Sequence, residues 1–120
     1  MEETLLGRIG GSETVNAIVD SVVASLLDDP RVKNRFNDCE VEVFKENHKA
    51  FFIKYLDGKE AEYEGPQMED IYSGKGITKE EFGVAAFYMN EAAYTVQVPY
   101  DAKQSLMASF NSMRDLIVGL

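Results

Sequence analysis

The chain has 120 residues, 45% of them apolar, with seven Phe, six Tyr, no Trp and a formal net charge of −9 at pH 7. That length suits a single domain, residues 1–120, with a real core. The acidic balance repels a nucleic-acid backbone unless a basic patch exists, and no run approaches the roughly 18 apolar residues of a membrane span, so neither nucleic acid nor membrane is expected as a partner.

The opening MEETLLGRIGG carries acids where a secretory signal carries positive charge, and it lacks a long apolar core. Leu5, Leu6 and Ile9 predict one short helical turn, stopped by Gly10 and Gly11, with Ser12 expected to cap the next helix. Val15, Ile18, Val19, Val22, Val23, Leu26 and Leu27 then recur at i, i+3, i+4, i+7, which predicts an amphipathic helix to about Leu27. Pro30 suits the first position of a further short helical turn carrying Val32 and Phe36. Arg31, Lys33 and Arg35 form a loose basic cluster that reads as a solvated face.

The single cysteine, Cys39, has no internal disulfide partner, and no Cys or His set has zinc-ligand spacing. A cytoplasmic or other reducing compartment is therefore expected. Asp38 and Glu40 beside the thiol argue that it is inert. The next helical pattern runs from Val41 through Phe44, His48, Phe51, Phe52 and Tyr55 to Leu56, where Gly58 ends it. His48, the chain's one histidine, falls on the apolar face. Glu40, Glu42 and Glu46 do not converge and read as a solvated face.

Past a polar connection comes YEGPQMEDIYSGKGIT, in which glycines and Pro66 pin a brief turn holding Met68, Ile71 and, at its end, Tyr72. Thr78-Lys79-Glu80-Glu81 is a capping box opening another helix with Phe82, Ala85, Ala86, Met89 and Ala93 on its face. A last helix is expected to carry Ala102, Leu106, Met107, Phe110, Met113 and Ile117. No alternating strand pattern competes, so the class is all-α; periodicity alone leaves a simple bundle and a globin open.

The order and wording of these segments resemble the truncated hemoglobins, the two-over-two globins, most closely their first group. The matching stretches are Arg8-Ile9-Gly10-Gly11, Leu27-Asp28-Asp29-Pro30-Arg31 ahead of Phe36, and His48-Lys49-Ala50-Phe51-Phe52. Tyr63-Glu64-Gly65, Gly74-Lys75-Gly76-Ile77-Thr78 and Phe82 leading into Ala85-Ala86 complete them. The resemblance runs from about Leu5 to Gly119. It implies a two-over-two helical sandwich with haem between the helix starting near Val41 and the turn near Tyr72.

Three departures from the family pattern bear on chemistry. The position of the iron-binding histidine, five residues before Ile77, holds Tyr72. The tyrosine that would hold bound dioxygen, and the aromatic before it, are replaced by Val22 and Ser21. Phe87 stands where a small residue is usual. Retained are Phe36, which matches a haem-packing phenylalanine, and His48, which matches a polar residue facing the ligand.

These residues leave alternatives open. Tyr72 is either a phenolate ligand to ferric iron or a core phenol hydrogen-bonded across a cavity that has lost haem. His48 is either an imidazole ligand from the opposite side or a buried histidine satisfied by one hydrogen bond, and in the absence of haem the two are expected to approach each other. Phe36, Phe44, Phe51, Phe52, Phe82 and Phe87 are candidate haem-contacting walls or ordinary core. Phe44, Phe87 and Tyr88 are the expected fillers of a haem-free space, with Met68, Met89, Met107 and Met113 adapting around them.

Three functions are compatible with these residues. The first is a haem-free or weakly haem-binding sensing, binding or structural role, with haem or a small apolar molecule as candidate ligand and no reversible dioxygen carriage. The second is ferric, peroxide or nitric oxide chemistry on haem held by Tyr72 or His48. The third is an acidic helical subunit docking a protein partner.

Overall fold

In the computed structural model, which describes residues 4–119, no strand occurs among the described residues. The acids Glu2 and Glu3 lie outside them. Helix α1, Leu5–Ile9, takes its N-cap from Thr4 and ends at Gly10, whose φ of 119° places it in the left-handed region. Any side chain there is strained, and a Cβ would also run into Thr14.

Helix α2, Ser12–Asp28, begins one residue earlier than its capping expectation, with Gly11 in the cap position and Ser12 inside the first turn. Its stripe of Val15, Ile18, Val19, Val22, Val23 and Leu26 is buried throughout, each such side chain contributing about 1.5–3 kcal/mol when taken out of water. The helix stops because Asp29 is extended and its carboxylate accepts the backbone N–H of Arg31 at 2.8 Å, a local turn that competes with helix. Pro30 therefore sits in a turn, and the helical piece that follows it before α3 is a 3-10 segment, Lys33–Phe36.

The basic cluster is not simply solvated. Arg31 pairs with the buried Asp29 at 2.7 Å, and Arg35 pairs with Glu81 at 2.8 Å.

Helix α3, Val41–Leu56, buries Phe44, His48, Phe51, Phe52 and Leu56. Helix α4, Met68–Tyr72, is one short turn with a capping box between Gln67 and Asp70. Helix α5, Lys79–Thr95, opens on the expected box: the Thr78 hydroxyl accepts the Glu81 N–H and the Glu81 carboxylate accepts the Thr78 N–H.

Helix α6, Tyr100–Asn111, is shorter than its periodicity predicts. The Ser112 hydroxyl bonds back to the Ser109 carbonyl at 2.6 Å, and a 3-10 segment, Arg114–Leu116, comes next. That segment still delivers Met113 and Ile117 to the core, and Gly119 N–H ties the end to the Ile77 carbonyl at 2.9 Å.

Helix α2 packs most extensively on α5 and α3, and α5 packs on α6. The pair α2 and α3 thus lies over the pair α5 and α6, a two-over-two sandwich. Phe82 and Phe110 stack at 4.8 Å in its middle, and Phe52 meets Phe110 at 6.4 Å. The turn α4 closes one open side, where the site lies. No helix among the described residues is long and apolar enough to cross a membrane.

Candidate functional site

Phe44, His48 and Phe52 are spaced i, i+4, i+8, so α3 presents them as one row. Opposite this row stands Tyr72, the last residue of α4. Two ties hold α4 in place: Arg35 donates to the Lys75 carbonyl at 3.1 Å, and the Lys75 ammonium donates to the Arg35 carbonyl at 3.4 Å. Because Arg35 is itself anchored to Glu81, the loop after Tyr72 is braced against α5.

His48 Nδ1 lies 2.7 Å from the Phe44 carbonyl oxygen, and Nε2 lies 2.9 Å from the Tyr72 hydroxyl. A carbonyl only accepts, so Nδ1 carries the proton in the neutral ring and the Tyr72 hydroxyl donates to the Nε2 lone pair. Burial pushes His48 down to about 4 against the opposing pull of the Phe44 carbonyl. Burial, with Cys39 second, raises Tyr72 above the ordinary phenol range. Both effects favour the neutral forms, so the proton stays on the phenol oxygen and phenolate is disfavoured.

Around this bond is a cavity of about 50 Å³, lined by apolar groups including Val19, Val22 and Leu26 of α2 and Ala85 and Met89 of α5. Phe44 forms part of its wall and also borders an open groove of about 280 Å³ between α3 and α4, where Cys39, Asn47, Ile71 and Lys75 lie. The Phe44 ring thus separates inner cavity from outer groove. It sits 4.2 Å from the His48 ring and 6.1 Å from that of Tyr72. Cys39 is raised by burial and by Glu40, with Lys75 opposing, so its thiol stays protonated.

Of the residues singled out from sequence, Tyr72, His48 and Phe44 come together at this cavity. Phe36 packs edge-on against Phe44 at 5.4 Å, one layer out. Phe51 is buried on another face of α3, against Tyr55 and Tyr63 at 5.6 and 5.4 Å, and is not a wall of this cavity. Phe87 is a correction: it is 56% exposed and points away from the cavity. The rotation of α5 that buries Phe82, Met89, Ala92 and Ala93 leaves Phe87 outside. Tyr88 does not fill the space either, since its hydroxyl reaches Asp29 at 2.5 Å.

Phe52, a candidate wall from its sequence position, does line the cavity, and Phe110, expected from its spacing only as core, completes the wall. Phe52 is the next step of the i, i+4 row, with its ring 6.2 Å from His48.

The sequence profile of the bacterial-like globins matches residues 4–118. The group 1 truncated hemoglobin GlbN of Mycolicibacterium paratuberculosis is 26% identical over 106 residues, 88% of this chain and 77% of that protein. GlbN of Synechocystis sp. is 28% identical over 102 residues, 82% of each. Among solved structures, the truncated hemoglobin of Tetrahymena pyriformis in its Fe(III) form matches with a TM-score of 0.86 at 19% identity, over 98% of this chain and 100% of that one. The 2/2 hemoglobin of Synechococcus sp. with covalently attached haem matches at 0.81 and 21% identity, over 96% and 98%. With its two-over-two sandwich and a profile match over nearly its whole length, this chain belongs to the bacterial-like globin family.

Proposed function

We propose that this chain uses the truncated-globin scaffold without haem as a resident cofactor, as a binding or structural unit and not as a reversible dioxygen carrier. The observation that carries this reading is the 2.9 Å hydrogen bond from Tyr72 to His48. Family membership makes haem the cofactor to test, and the Synechococcus relative holds it covalently. The residues of this site do not fit it.

Two donors on opposite sides of one metal ion, each bonded at about 2 Å, need about 4 Å between them. His48 and Tyr72 are closer than that and are already satisfied by each other. Separating them strands two buried polar groups, at about 1–3 kcal/mol each. The enclosed cavity of about 50 Å³ is far below the ~300 Å³ or more of a typical cofactor site, and the Phe44 ring stands between it and the open groove of about 280 Å³. Val22 offers no hydroxyl to a bound ligand. What suits the lining is a small apolar molecule, since the two polar groups facing the cavity are paired with each other and leave it dry.

A haemin titration followed by desalting tests the proposal. The expected result is a broad, weak absorption that is lost on desalting, the same in wild type, Tyr72→Phe and His48→Ala. A sharp Soret band that survives desalting and shifts in either variant overturns it in favour of a ferric haem protein with that residue as axial ligand.

A further inference from the structure

We propose that the outward stripe of α5 and the α5–α6 corner form a docking surface for a basic amphipathic helix of a protein partner. Phe87, Glu91 and Tyr94 follow the i, i+4, i+7 spacing of one helix face, about 10 Å from first to last. Phe87 is 56% exposed, Tyr94 73%, and Tyr100, at the start of α6, 69%. Large aromatics left outside a well-filled core, on one continuous stripe, mark an interaction surface. One turn before Phe87 the exposed Gly83 adds no bulk, and the space beside it is open.

The nature of the partner is set by charge. The Lys103 ammonium lies 5.7 Å from the Tyr94 ring centroid and 6.0 Å from that of Tyr100, so these rings already hold a cation on their faces. Glu91 and Asp101 border the aromatics, and neither has a cationic partner among the described residues. The whole chain carries −9. A helix with Leu-type side chains toward Phe87 and the tyrosine edges, and Arg or Lys toward Glu91 and Asp101, complements the apolar and acidic parts of the stripe, while Lys103 keeps the tyrosine faces. A second copy of this chain does not, because it brings a further −9 and a second Glu91 to the same face. The inference stands on α5 and α6 alone and is independent of what the inner cavity binds.

The test titrates isotopically labelled protein with a synthetic amphipathic Leu/Arg/Lys helix at near-physiological salt, with a Leu/Glu helix as control. Chemical-shift changes are expected within residues 83–103 only, with no response to the control. Affinity is expected to fall about tenfold or more in the Phe87→Ser/Tyr94→Ala variant and in Glu91→Lys, with melting curves unchanged because these side chains are exposed. Equal affinity in both variants overturns the proposal, as do shifts centred elsewhere. Sedimentation showing self-association that Phe87→Ser abolishes also overturns it, by assigning the stripe to a second copy.

Discussion

The Tyr72 hydroxyl donates to His48 Nε2 at 2.9 Å, joining the end of α4 to the apolar face of α3. One bond thereby satisfies the only histidine in the chain and the phenol that faces it. If the pair acts as a unit, Tyr72→Phe alone leaves the Nε2 lone pair buried without a donor and destabilises the fold by about 1–3 kcal/mol. The Tyr72→Phe/His48→Leu double variant removes both partners and is expected to cost less than the sum of the single changes. Chemical denaturation of the four proteins checks this, and strict additivity would contradict the coupling.

Acid sensitivity arises from the buried imidazole. Between its ordinary value of 6.5 and about 4, His48 binds a proton in the unfolded chain and not in the folded one. The unfolded state then holds more protons, so stability falls as pH drops through that window, by about 3 kcal/mol when complete. Melting temperature should be nearly level above pH 6.5 and decline toward pH 4, and the double variant should flatten that decline. Asp29, held well below the usual carboxylate range first by Arg31 and then by Tyr88, adds a loss only at still lower pH. An identical decline in wild type and double variant would remove His48 as its cause.

The start of α5 fixes the far end of the loop that carries Tyr72. Thr78→Ala removes the hydroxyl that accepts the Glu81 N–H at 3.1 Å, for an expected loss of about 1 kcal/mol. Thermal unfolding measures it, and an unchanged melting temperature would show that the box does not stabilise this end.

Cys39 borders the outer groove with its thiol raised by burial. Its reaction with iodoacetamide at neutral pH should be several-fold slower than that of a free cysteine, as thiolate is the reactive form. A rate above that of free cysteine would make it a reactive site after all.

Much of this architecture was legible because strong local signals agree with the fold. The α2 stripe has a clear helical period, Thr78 and Glu81 name their own cap, and the glycines after α1 and α3 mark true ends. The rotation of α5 was not legible. Val84 to Met89 is an unbroken apolar run, so neighbouring aromatics compete for the inward direction, and packing against α2 buries Met89 while leaving Phe87 outside. The end of α6 misled for a different reason: Met113 and Ile117 keep helical spacing while a 3-10 turn carries them. The His48 and Tyr72 pairing joins residues 24 apart, which no periodicity encodes; the match to the globin pattern suggested it, and the distance supports the haem-free reading.

The most direct measurement is an NMR spectrum of protein labelled with nitrogen-15 at histidine, recorded before and after one equivalent of haemin. A haem-free site predicts a slowly exchanging Tyr72 hydroxyl proton correlated with a neutral His48 Nε2, unchanged by haemin and absent in Tyr72→Phe. Disappearance of that signal on adding haemin, together with a Soret band that survives desalting, would contradict it.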